Sequence, residues 1–209
     1  GIAGLSTALA WKKLYPDDKI LILEKNKVTG GCVSTFARKG YKFDTTQIIP
    51  DVSNLLDFFK IDVPLVKFEN YYARLFIPDL EHKTSRIINI PSSCADFEKT
   101  MIDSYPEDAR AIRKFFHYCH QMHSELKFLK TEPKWYQLPG ILVRCPKIIL
   151  NSNKTYHQFL KKFRIKNPEV FRIFDTFSSF SGLSGNRCAA LLTACAMVTT
   201  LKENFRPEE

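Results

Sequence analysis

A chain of 209 residues and 24.2 kDa, 44% hydrophobic and 25% charged, has the balance of a folded globular protein and excludes a disordered, collagenous or low-complexity polymer. Its formal charge of +9 comes from lysines and arginines scattered without an uninterrupted block and without a base-reading module, so nucleic acid is not an expected partner. Six cysteines stand singly, with no C-x-x-C pair, and read as reduced thiols of a cytoplasmic chain; no stretch is long and apolar enough to cross a bilayer.

The chain opens on Gly1-Ile2-Ala3-Gly4-Leu5. A glycine turn that opens a helix brings bare backbone N–H groups and the positive helix end up to a diphosphate. A helix is expected over Leu5 to Leu14, broken by Tyr15-Pro16-Asp17-Asp18, and the aliphatic run from Lys19 to Glu24 reads as an interior strand of a parallel sheet. Glu24 follows the glycine turn by roughly 20 residues, the spacing at which an acidic strand end accepts hydrogen bonds from an adenosine ribose. Gly30-Gly31 can carry the backbone past the same diphosphate again, with Thr35 either satisfying its own loop or touching the ligand. Gly40-Tyr41-Lys42-Phe43-Asp44 alternates as a short strand. The class is therefore α/β, a Rossmann-type dinucleotide fold. In the full G-x-G-x-x-G pattern Gly1 would be the second glycine and Gly4 the third, so the chain reads as a truncated fragment whose first strand is missing.

Beyond Pro50 the texture changes, and the division expected is 1–50 as the nucleotide-binding part and 51–209 as a helix-rich α+β part. A short helix is expected over Val52 to Phe59, and Tyr71 to Ile77 with Ser85 to Ile90 form a hairpin around Pro78-Asp79. Ser104 with Glu107 resembles a capping box. From there Ala109, Ile112, Phe115, Phe116, Cys119, Met122, Leu126 and Leu129 mark one long amphipathic helix. Thr155 with Gln158, and Asn167-Pro168-Glu169, start two more; the second carries Val170, Ile173, Phe174, Phe177 and Phe180, which fit a core or the lining of an apolar tunnel. After Gly182 and Gly185, Cys188 to Leu201 is helical. His117, His120 and His123 recur every three residues and read as a solvated or packing face, with no metal site expected.

The segment Glu24-Lys25 through Gly30-Gly31-Cys32-Val33-Ser34-Thr35, then Gly40-Tyr41-Lys42-Phe43-Asp44, Tyr105-Pro106-Glu107, Phe180-Ser181-Gly182-Leu183-Ser184 and Asn204-Phe205-Arg206-Pro207, resembles the FAD-dependent oxidoreductases of the phytoene desaturase, carotenoid isomerase and retinol saturase family. Amine oxidases share the pattern at the front. The resemblance implies FAD as cofactor, held by Gly1, Ile2, Ala3, Gly4, Leu5, Glu24, Lys25, Gly30, Gly31 and Thr35. It implies hydride exchange between the flavin and an apolar small-molecule polyene, with 51–209 as the beginning of the substrate domain and the catalytic residues unknown. Two departures stand out: Cys32 replaces the family's arginine, a contact that Lys25 or Arg38 can supply, and Thr45-Thr46 stand where a glycine is usual. An amine oxidase-like flavoprotein and a catalytically silent binding module are the alternatives. The basic surface and apolar helices fit either ordinary solubility or peripheral contact with a membrane.

Overall fold

The computed structural model describes residues 1–31, 35–44, 53–67, 71–79, 84–129, 136, 138–202 and 205–207. Its contacts divide the chain into a unit of Gly1–Val66 with the segment from Phe205, and a second unit of Lys67–Asn204.

In the first unit, α1 (Ile2–Leu14) starts at Gly1, which has no side chain to cap it, and stops at Tyr15. The break is stapled from within the helix. Lys12 Nζ donates to the carbonyl oxygens of Pro16 and Asp18, and Trp11 Nε1 donates to Asp18 Oδ2 at 2.8 Å. β1 (Thr35–Arg38) and β2 (Tyr41–Asp44) form an antiparallel hairpin with Phe36 stacked on Phe43 at 5.3 Å. Lys39 and Gly40 between them both have positive φ, the two-residue turn whose twist matches paired strands. Lys13 Nζ donates to the carbonyl of Phe58 at 2.8 Å and lies over its ring, tying α1 to α2 (Ser53–Phe59). β3 (Leu65–Lys67) pairs with β6 (Phe205–Pro207).

The parallel strand expected over Lys19–Glu24 is not formed. A strand exists only beside another strand, and an interior parallel strand needs one on each side. The described residues supply neither, so Leu21 and Leu23 stand 82% and 85% exposed and α1 buries no residue. An open groove of about 580 Å³ runs between them, bordered by Gly4, Trp11 and Ile20 to Leu23. Among the described residues the sheets are three two-stranded ribbons, so the observed architecture is helices with small sheets in place of a doubly wound sheet.

The second unit holds every fully buried apolar side chain among the described residues, from Ile88 to Leu201. β4 (Ala73–Asp79) pairs antiparallel with β5 (Thr84–Ile90), so that Ile88 and Ile90 face inward while Phe76 and its partner Ile87 face out. Pro78 and Asp79, expected in the turn, continue β4 opposite Ser85 and Thr84. α3 (Cys94–Ser104) is capped by Ser93, whose Oγ accepts from the Asp96 N–H. Because α3 runs to Ser104, the expected Ser104–Glu107 capping box does not form. Instead a single 3₁₀ turn, Pro106–Asp108, leads into α4 (Ala109–Glu125). α4 buries Ile112, Phe115, Phe116, Cys119 and Met122 and gives way at Leu126 to a 3₁₀ turn, three residues before the apolar pattern ends.

α5 (Leu138–Arg144), α6 (Pro146–Asn151), α7 (Tyr156–Lys161), α8 (Pro168–Asp175) and α9 (Ala190–Thr200) complete the unit. α7 has the expected Thr155–Gln158 capping box, and Asn167 caps α8 with Pro168 at the first position. Val170, Ile173, Phe174 and Phe177 enter the core. Phe174 stacks on Phe115 at 4.3 Å, Phe97 meets Phe116 edge-on at 5.6 Å, and Phe180 is half-buried. α9 packs small residues, Ala190 and Ala194, into the same core and lies against α4 and α7.

Asp108 holds two distant segments together. Its buried carboxylate accepts the N–H groups of Lys166 at 2.9 Å and Asn167 at 2.7 Å, fixing the entry to α8 against the start of α4. Asp108→Ala strands both donors and is expected to destabilise the fold by about 2 kcal/mol, measured as a lower chemical-denaturation midpoint.

Candidate functional site

The sequence places three candidate elements far apart along the first unit, and the structure brings them to one corner. Gly31, at φ 65°, lies so close to Gly1 that a Cβ on it would come within 2.9 Å of the Gly1 Cα. A Cβ on Gly1 would meet the Gly30 carbonyl at 3.6 Å and the Gly31 Cα at 3.7 Å. Glu24 Oε2 lies 3.9 Å from the Gly1 nitrogen. The other oxygen of Glu24 accepts the Asn26 N–H at 2.9 Å, and chiefly that bond holds its carboxyl below the ordinary carboxylate range.

At this corner the helix supplies donors. Leu5 N–H makes the first intrahelical bond, to the Gly1 carbonyl at 3.1 Å, so the N–H groups of Ile2, Ala3 and Gly4 precede it. Donors at a positive helix end beside an anionic acceptor form a set that a diphosphate and a ribose hydroxyl would both satisfy. Gly4 lies one turn along and borders the groove beside Ile20 to Leu23, with nothing described within 4 Å of a Cβ built on it. Lys25 is exposed next to Glu24, and Thr35 opens β1. Cys32 and Thr45-Thr46, the departures from the family pattern, lie outside the described residues.

Two clusters in the second unit carry no signal in the local sequence. His157 Nε2 lies 3.0 Å from Asp175 Oδ2, and Gly185 closes over the pair: a Cβ there would sit 1.9 Å from Asp175 Oδ1. Arg86 reaches Glu169 at 3.7 Å and lies over the ring of buried Tyr105, whose hydroxyl is pushed up by burial and then by Glu169. Their partners are 18 and 83 residues apart, and only the fold makes them neighbours.

The three histidines of α4 do not converge, and among the described residues no group of three or more His, Cys, Asp or Glu is placed to hold a metal ion. Burial lowers the pKa of His123, helped by Lys202 and His120, and its Nε2 lies 3.2 Å from Thr199 Oγ1. A histidine whose folded pKa is lowered adds stability above its ordinary value of 6.5 and loses it as the pH falls through the lowered value. The thermal midpoint is therefore expected to fall between about pH 7 and about pH 5, and to fall less in His123→Gln.

Residues 1–60 match the profile of the NAD(P)-binding Rossmann-like domain. The whole chain aligns at 27% identity with a protein of Danio rerio called Inactive all-trans-retinol 13,14-reductase, and it spans 36% of that protein's length. The chain thus carries a Rossmann-like dinucleotide-binding segment, and it is a distant homologue of that relative. No helix among the described residues is long and apolar enough to cross a membrane.

The glycines of the corner differ in what constrains them. Gly31→Ala places a side chain at positive φ against backbone and is expected to cost about 1–2 kcal/mol, whereas Gly4→Ala meets open space and is expected to gain up to about 1 kcal/mol of helix stability. Thermal unfolding followed by helical circular dichroism separates the two.

Proposed function

We propose that the chain is the dinucleotide-binding part of an FAD-dependent oxidoreductase of the phytoene desaturase and retinol saturase type, with 1–50 as its nucleotide-binding part and 51–209 as the start of its substrate domain. The observation that carries this reading is the convergence of Gly1, Gly31 and Glu24, where backbone donors and a carboxylate acceptor share one corner. The N–H groups of Ile2, Ala3 and Gly4 hold the diphosphate, Glu24 Oε2 accepts a ribose hydroxyl, and Gly30-Gly31 keep the opposite wall free of side chains. Lys25 supplies the positive charge that Cys32 lacks. FAD is favoured over a nicotinamide dinucleotide by the second glycine pair, which the resemblance assigns to flavoproteins. Bound flavin supplies a hydride acceptor or donor, and the protein orients an apolar polyene beside it and keeps water out. The name of the Danio rerio relative supports a retinoid-like substrate.

A second reading has its own support. That relative is called inactive, and Cys32 removes the arginine of the family pattern, which favours a binding module that keeps the fold without the reaction.

Calorimetric titration of the purified protein with FAD and with NADP⁺ tests the proposal. FAD is expected to bind more tightly, and Glu24→Ala to weaken it on the order of tenfold through loss of a charged acceptor. Failure to take up either nucleotide, or an unchanged FAD affinity in Glu24→Ala, overturns the assignment of this corner. FAD uptake with no flavin reduction or reoxidation in the presence of retinoid or carotenoid polyenes supports the silent module.

A further inference from the structure

Residues 126–168 hold ten of the chain's 31 lysines and arginines but only one of its 22 acids, Glu132. The whole formal excess of +9 therefore sits in this stretch, and the rest of the chain is balanced. α5 and α6 lie within it and turn apolar side chains to solvent. Leu138 and Leu142 stand one helical turn apart, Val143 is 80% exposed beside them, and Leu150 of α6 is 63% exposed. The ridge is anchored from below: α5 rests on α6, α6 rests on α4 and α9, and Cys145 and Ile148 are buried.

Cations rim the ridge on aromatic supports. Lys127 and Arg144 approach the Phe128 ring at 4.9 and 5.8 Å, and Lys147 and Lys162 approach the Tyr118 ring at 5.8 and 3.7 Å. No acid occurs among the described residues from 126 to 168; neighbouring Glu125, itself buried, accepts the Lys147 and Ile148 N–H groups and pairs with the Lys147 ammonium at 3.8 Å, so the charge open to a partner is that of Lys127, Arg144 and Lys162. An apolar protein partner would have to desolvate these cations without return, and a nucleic acid would leave the leucines in water. A layer of anionic headgroups over hydrocarbon satisfies both, because aliphatic side chains enter the boundary while cations stay at headgroup level.

We infer that the α5–α6 ridge docks on the surface of an anionic phospholipid bilayer. Lipid binding here is independent of nucleotide binding by residues 1–31, and either can fail alone. The test is cosedimentation of the protein with phosphatidylcholine vesicles and with vesicles that also contain phosphatidylserine. The expected result is partition onto the phosphatidylserine vesicles, weakened by salt. The exposed-residue pair Leu142→Asp with Val143→Asp is expected to lower partition on the order of tenfold or more without changing the thermal midpoint. Lys127→Glu with Arg144→Glu is expected to lower it on the order of tenfold and to flatten the salt dependence. Equal partition onto both vesicle types, no partition, or partition that survives both pairs of changes overturns the inference. A concentration-dependent dimer that Leu142→Asp dissociates, in a protein that ignores lipid, assigns the ridge to a second copy of the chain and overturns it as well.

Discussion

Bare backbone meets bare backbone where Gly31 lies against Gly1, and the candidate corner is built on that contact. At φ 65° with a neighbouring Cα in reach of its missing Cβ, Gly31 is held to glycine by its own conformation and by what it touches. The contact draws the loop after Glu24 back onto the start of α1, and so sets a carboxylate beside the positive end of a helix. A side chain on Gly31 would push that loop away from the helix start, whereas a Cβ on Gly1 would meet the loop only at ordinary contact distance.

The two units are stabilised by different means. The second has an interior of interlocking rings, with Phe115 and Phe174 face to face and Phe97 and Phe116 edge to face, around an α4 that neighbours touch on several sides. Buried carboxylates serve that interior as fasteners between segments, and each meets backbone N–H groups that would otherwise lack partners. The first unit relies on side-chain staples and short ribbons. Its aliphatic segment, Ile20 to Leu23, remains at the surface because hydrophobicity alone does not create a strand.

What was legible in the sequence is what depends on neighbours three or four residues away. The Thr155–Gln158 and Asn167–Pro168 starts, the apolar stripe of α4 and the hairpin alternation all have their causes within one or two turns of chain. The spacing of Gly1, Glu24 and Gly31 agrees with their meeting at one corner, because a motif of this kind encodes a distance in space as a distance in sequence. The rest has remote causes. α6 has no cap of its own because Glu125 provides one from α4, and Ser104 is denied its capping role because α3 continues through it. The pairing of His157 with Asp175, and the Asp108 bridge to the entry of α8, likewise leave no local trace. Lys19–Glu24 departs from its pattern for a related reason: the aliphatic run is that of a strand, but strand formation is a property of a pair.

The carboxylate of Glu125 reaches from the last turn of α4 to the first turn of α6, with Lys147 closing around it at 3.8 Å. One buried group therefore sets the stance of a surface element from the inside. The outer helices borrow their rigidity from the central one, and any event that frays the end of α4 changes what the outside of the molecule presents.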